Sequence, residues 1–160
     1  MASVLMLYSA DWTNELLDYR RRAVPSHRLF GFAELEHLGY RMDLCRTPAR
    51  LRGLLSSPAA WRIFQAVWTM LFQHRYSCVV STTDAPALPV LMLKAVGLIR
   101  RPVVVISVAL LDAKNASGLR HALWARCLRS ADALIVYATD QAAAIPARSR
   151  SPTRSPACEA

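Results

Sequence analysis

Short apolar runs and longer stretches with helical spacing alternate along this chain. Residues 3–9 (SVLMLYS) are a continuous apolar run bounded by polar residues, the pattern of a strand buried on both faces. Residues 10–25 show no clean period and read as a long loop carrying Asp11, Trp12, Glu15, Asp18 and the run Arg20-Arg21-Arg22. Leu29, Phe30, Phe32, Ala33, Leu35 and Leu38 then predict a helix with one broad apolar face, closed by Gly39. Residues 40–44 predict the second strand, and residues 47–58 a short basic helix or loop.

From residue 59 to 73, Trp61, Phe64, Trp68, Leu71 and Phe72 recur at three- and four-residue spacing, predicting a longer helix. Residues 77–81 (SCVVS) predict a third strand that runs into Thr82, Thr83 and Asp84. A helix over 86–98 follows, with Pro89 expected inside its first turn, where proline is tolerated. Residues 103–110 predict a fourth strand, 118–128 a helix and 133–137 (ALIVY) a fifth strand. Thr139-Asp140-Gln141 then starts a helix that Pro146 ends. Strands alternating with helices at this spacing imply right-handed crossovers and a mostly parallel sheet with helices on both faces. The expected architecture is a single Rossmann-like α/β domain over residues 1–146.

Composition changes after that point. Residues 147–160 (ARSRSPTRSPACEA) are rich in Arg, Ser and Pro and lack the apolar content for a core, so a disordered basic tail is expected. The whole chain has 54% hydrophobic residues and a mean hydropathy of +0.20, which places the main body among folded domains. No apolar run reaches the roughly 18 residues of a membrane span, and the N-terminus lacks a basic stretch of the signal-peptide kind. Cys45, Cys78, Cys127 and Cys158 lie far apart with no C-x-x-C pair, the usage of a reduced, cytoplasmic protein without a structural metal. Cys78 and Cys127 are expected to pack as small hydrophobes. The net charge is +9, and with Lys94 and Lys114 the only lysines, 18 of the 20 basic residues are arginine. Such a balance suits an anionic partner without choosing one.

In open α/β sheets, ligands bind outside the carboxyl ends of the strands. That rule selects the loop after Ser9, the Thr82-Thr83-Asp84 stretch, the segment from Ser107 to Asp112, and Ala138-Thr139-Asp140. No glycine-rich dinucleotide or P-loop motif lies at any of them. Paired metal-ligating histidines and a G-x-S-x-G nucleophile elbow are absent too. Ser26-His27-Arg28 has two readings. Ser26 is an N-cap after Pro25, with His27 and Arg28 solvated; or the three face a phosphate or carboxylate at a helix N-terminus. Asp84 is likewise a cap or an acid, and Ser107 a buried hydroxyl bonded to backbone. The aromatic helix from residue 59 packs on the sheet, or lies on an anionic membrane among Arg50, Arg52, Arg62 and Arg75. Packed aromatics are not free to stack on bases, so nucleic acid is not an expected partner.

The order of elements carries a family resemblance. VLMLYSADW, PSHRLFGFAELEHLGYRMDLC, FQHRYSCVVSTTDAPALPVLMLKAVGLIRRPVVVIS and RSADALIVYATDQ together resemble the N-terminal, acceptor-side domain of GT-B glycosyltransferases of the large retaining family 4, over residues 3 to 145. The resemblance implies sugar transfer from a nucleotide sugar to an acceptor, in a cleft shared with a donor-binding domain, without a bound metal or other cofactor. Acceptor or phosphate groups would then meet Ser26, His27, Arg28, Thr82, Thr83 and Asp84. The donor-side signature of two glutamates eight positions apart is absent. The loop after the first strand lacks the family's glycine pair, and Leu111-Asp112 stands where a histidine is common, so no catalytic residue is assigned. The expectation is a truncated or frameshifted glycosyltransferase, inactive without its donor domain, cytoplasmic or peripheral at the inner membrane face. The alternative is a non-catalytic module that docks on an anionic membrane or on a separate donor-domain subunit.

Overall fold

The computed structural model describes residues 2–23, 25, 29, 31–51, 53–107 and 126–136, apart from the side chains of Ala49 and Ser107. Five strands form one sheet: β1 (Ser3–Leu7), β2 (Arg41–Leu44), β3 (Cys78–Ser81), β4 (Val103–Ser107) and β5 (Ala133–Val136). Their order is β2-β1-β3-β4-β5 and every pairing is parallel. β1 lies between β2 and β3, with Val4 beside Met42 and Cys78 and Leu7 beside Ser81. The chain winds outward from β1 to β2 and then crosses back to β3, so the strand order reverses between β1 and β3. This is the doubly wound α/β arrangement that the alternating pattern predicted.

Period-2 alternation divides the apolar residues between two cores. Leu5, Leu7, Val79, Val103 and Val105 point to one side, where they meet α3 (Pro58–Phe72) and α4 (Asp84–Ala95). Val4, Met6, Met42 and Leu44 point to the other, where they meet Leu16 of α1 (Thr13–Arg20) and Phe32 of α2 (Phe32–His37). Cys45 and Cys127 are buried in the first core and Cys78 is half-buried in β3. Burial pushes all three thiols up in pKa, Cys45 with help from the Asp11 and Asp43 carboxylates. They behave as the small hydrophobes expected of reduced cysteines.

The sequence pattern and the structure differ at three helix boundaries. Residues 13–20, expected as loop, form α1. Its signal was the spacing of Trp12, Leu16 and Tyr19, one sparse helical stripe that packs on the second core. Its start is fixed by Asp11, whose Oδ1 accepts from Thr13 N at 3.0 Å and Thr13 Oγ1 at 2.5 Å. α2 is only six residues long and its N-cap is Gly31, at φ 88°. A cap there requires a left-handed backbone, not a serine side chain, so Ser26 is not the cap of this helix. The C-terminal expectation fits: Gly39, also at φ 88°, follows α2, with Gly39 N bonded to Glu36 O and Tyr40 N to Leu35 O. Finally, α4 begins at Asp84 behind Thr83, so Pro89 lies in the helix interior and not in its first turn. An interior proline removes one backbone hydrogen bond; burial of Pro86, Ala87, Val90 and Leu91 on the sheet offsets that loss.

α3 follows its sequence signals closely. Ser57 caps it by accepting from Ala60 N at 3.1 Å, and Pro58 occupies the first helical position. Trp61 is buried, while Phe64, Trp68 and Phe72 are half-buried against the same core. Their rings form a ladder with successive centroids 5.7, 5.9 and 4.3 Å apart. The aromatic stripe therefore packs on the sheet. Among the described residues no helix is long and apolar enough to cross a membrane. The segments 108–125 and 137–160, including the expected helix starting at Thr139 and the basic tail, lie outside the described residues.

Candidate functional site

The carboxyl ends of β1 and β2 and the first turn of α3 line a half-open cavity of about 240 Å³. Ser9 and Asp11 line it from the loop after β1, Thr47 from the loop after β2, and Leu55, Ser57 and Trp61 from the entry to α3. Each wall is where the topology puts it. Parallel strands end on one edge of the sheet, and α3 begins there because it must run back antiparallel to reach β3.

Two buried side chains hold the loop after β1. The Tyr8 carbonyl accepts from Gln65 Nε2 at 2.8 Å and Trp61 Nε1 at 3.3 Å, so α3 grips the backbone one residue before Ser9. On the opposite face, the Tyr8 hydroxyl donates to Leu29 O at 2.7 Å and its ring stacks on Trp12 at 5.1 Å. Burial raises the Tyr8 phenol pKa far above its ordinary value, with the Glu34 charge adding to the shift, so this hydroxyl remains a donor at any physiological pH. The loop bearing Ser9 and Asp11 is thus pinned from both sides of the sheet.

Thr82, Thr83 and Asp84, expected at the site, sit at the end of β3 and do not line the cavity. Thr82 is structural: its N and its Oγ1 both donate to Leu7 O at 3.0 Å, tying β3 to β1 beyond the last ladder pair. Ser81 Oγ donates to Thr83 O at 2.8 Å and tightens the turn into α4. Thr83 Oγ1 is a buried atom with no hydrogen-bond partner. Asp84 is not the N-cap but the first residue of α4, buried, where the positive end of the helix dipole favours a carboxylate. Ser26, His27 and Arg28 lie outside the described residues, as do residues 108–112 and Ala138-Thr139-Asp140.

Thr47 and Ser57 were not singled out by the sequence, although a signal existed for each. Thr47 stands three residues past the end of β2, hence at the ligand edge. The pair Ser57-Pro58 is a helix-start signature that places Ser57 at that same edge. Chemically the cavity offers hydroxyls, one carboxylate and an indole, and it contains no basic side chain. Such a wall suits a neutral, hydroxyl-rich group; Asp11 disfavours a phosphate or carboxylate there. Among the described residues no cluster of His, Cys, Asp and Glu is arranged to hold a metal ion. Compared with known proteins, the chain matches no protein-family model, no curated protein and no solved structure.

Proposed function

We propose that this domain is the acceptor-side half of a nucleotide-sugar-dependent glycosyltransferase, with the acceptor's hydroxyl-bearing group seated between Ser9, Asp11, Thr47, Ser57 and Trp61. The observation that carries the reading is the cavity's composition at the ligand edge of a doubly wound sheet. Hydroxyls donate to and accept from sugar hydroxyls, the Asp11 carboxylate accepts from them, and Leu55, Pro58 and the edge of Trp61 supply an apolar wall for the ring. Its volume of about 240 Å³ lies below the roughly 300–1,000 Å³ of pockets for drug-sized ligands, so it takes one ring and not a dinucleotide.

The motif resemblance over residues 3–145 supports the same reading, and with it a division of labour. The nucleotide sugar belongs to a second domain, and transfer takes place only when the two meet. Asp11 orients an acceptor hydroxyl in this scheme and is assigned no proton transfer.

Calorimetric titration tests the proposal, using methyl glycosides of glucose, galactose, mannose and N-acetylglucosamine, and separately UDP-glucose and GDP-mannose. Saturable binding of at least one glycoside, lost in Asp11→Ala and Ser57→Ala, is the expected result. Tight nucleotide-sugar binding or turnover by this chain alone overturns it, as does failure of every glycoside to bind.

A further inference from the structure

α3 is apolar on both sides, yet only one side meets the sheet. Opposite the buried face of Trp61, Gln65, Ala66 and Thr69, Ile63, Val67 and Leu71 recur every four residues and are 61%, 41% and 57% exposed. A helix that is apolar all round is normally buried all round, so this stripe lacks its cover. The surface continues past the end of the helix. Gln73 Nε2 donates to Leu98 O at 2.8 Å and Gln73 Oε1 accepts from Arg100 N at 2.8 Å, bringing the loop after α4 against the end of α3. That loop carries Val96, 71% exposed, and Leu98, 50% exposed, and Leu98 is held at the C-terminal end of α3 through Gln73.

Charge identifies the cover. Between Leu44 and Ser107 the chain carries eight basic residues and a single acid, Asp84, which is buried. Arg75, Arg100 and Arg101 are exposed where α3 and the loop meet. Arg75 is held over the Phe72 ring, 4.9 Å from its centroid, and Arg101 Nε donates to Gln73 O at 3.2 Å. Among the described residues, the exposed carboxylate of Asp132 is paired with Lys94 at 3.0 Å. A second copy of this chain would set cation against cation. An anionic bilayer meets both features, accepting the aliphatic side chains below its headgroups and the arginines at them.

We propose that the Ile63-Val67-Leu71 face of α3, with Leu98 and the Arg75-Arg100-Arg101 cluster, is a docking surface for an anionic lipid bilayer. This stands independently of the glycosyltransferase reading, because it uses none of the cavity residues. The aliphatic face, not the aromatic one, enters the lipid.

Vesicle co-sedimentation of the full chain tests this, with phosphatidylglycerol–phosphatidylcholine vesicles set against phosphatidylcholine alone. The chain pellets with the anionic vesicles and not the neutral ones, and high salt releases it. Ile63→Glu with Leu71→Glu lowers the partition by about tenfold or more, while circular dichroism stays unchanged. Arg75→Ala, Arg100→Ala and Arg101→Ala lower it by about fivefold each, the equivalent of roughly 1 kcal/mol per charge. No binding to anionic vesicles overturns the proposal. So does binding that the Ile63→Glu, Leu71→Glu variant retains, since charge elsewhere would then carry it. A concentration-dependent dimer abolished by that variant, without vesicle binding, assigns the face to a second copy and overturns it too.

Discussion

The two helical layers differ in how they are held to the same sheet. On one side α3 and α4 run 15 and 12 residues, pack against each other and bury the larger core, from Leu5 to Val105. On the other side α1 and α2 are only 8 and 6 residues long. Six of the chain's 11 acids fall in residues 1–43, around these short helices, and among the described residues the ion pair there is Arg20–Glu36 at 3.7 Å, mostly exposed. Such a pair adds about 0–1 kcal/mol. The α3–α4 layer is thus the rigid body of the domain, while the α1–α2 layer is attached through Tyr8, Leu16, Leu29 and Phe32. The cavity borrows from both: its helix wall comes from the strong layer and its loop wall from the strand end that the weak layer pins.

Phe32→Ala and Leu91→Ala, each truncating a fully buried side chain, break this comparison most sharply. Phe32→Ala is expected to cost about 3–5 kcal/mol and Leu91→Ala about 2–5 kcal/mol. They should differ in where the loss appears. Hydrogen exchange in Phe32→Ala should speed up at α1 and α2 amides first, through local opening, whereas Leu91→Ala should lower protection throughout β1, β3, α3 and α4. Uniform loss in both variants would mean that the layers are one cooperative unit.

A smaller effect is expected at Tyr76, whose hydroxyl donates to Asp43 Oδ2 at 2.9 Å. Tyr76→Phe should cost about 1 kcal/mol at neutral pH. Burial first, then the Asp43 charge and hydrogen bond, push the Tyr76 phenol up to about 12 from 10.0. The folded state holds this proton more tightly than the unfolded one. Its stabilisation is therefore complete below pH 10 and is lost as pH rises towards 12. Urea midpoints across that window should fall less steeply in Tyr76→Phe, with Tyr8 and the buried thiols supplying the remaining slope.

Gly39→Ala isolates backbone strain, since a Cβ at that position meets nothing within 4 Å and only φ, at +88°, resists it. Thermal denaturation should show a loss of about 1 kcal/mol. Ile63→Glu is the smallest, within about 0.5 kcal/mol because the position is exposed. A loss above that would mean that the α3 stripe packs on something within the chain.

What could be read in the sequence followed from how strongly each element is patterned. β1, β3 and α3 were legible because a two-sided apolar run and a ring stripe of Trp61, Phe64, Trp68 and Phe72 leave few alternatives. α1 was not, because over residues 12–20 Trp12, Leu16 and Tyr19 are three apolar positions among six polar or exposed neighbours. The start of α2 was misread because a left-handed glycine at 31 does a job usually given to a serine. Of the proposed cavity, the strand-end rule selects the Ser9 loop, whereas Thr82 ties β3 to β1 through Leu7 O, a role that depends on a distant part of the chain. Thr47, just past the end of β2, and Ser57, in the helix-start pair Ser57-Pro58, carry local signals for the same edge, but their approach to the Ser9 loop depends on how β1, β2 and α3 pack.

The most direct test of the acceptor-site account is a heteronuclear NMR titration of the chain with the methyl glycosides. Binding should shift the amides of Ser9, Asp11, Thr47 and Ser57 together with the Trp61 indole N–H, and leave Thr82 to Asp84 in place. Shifts centred on Thr82 to Asp84, or none at any glycoside, would contradict it.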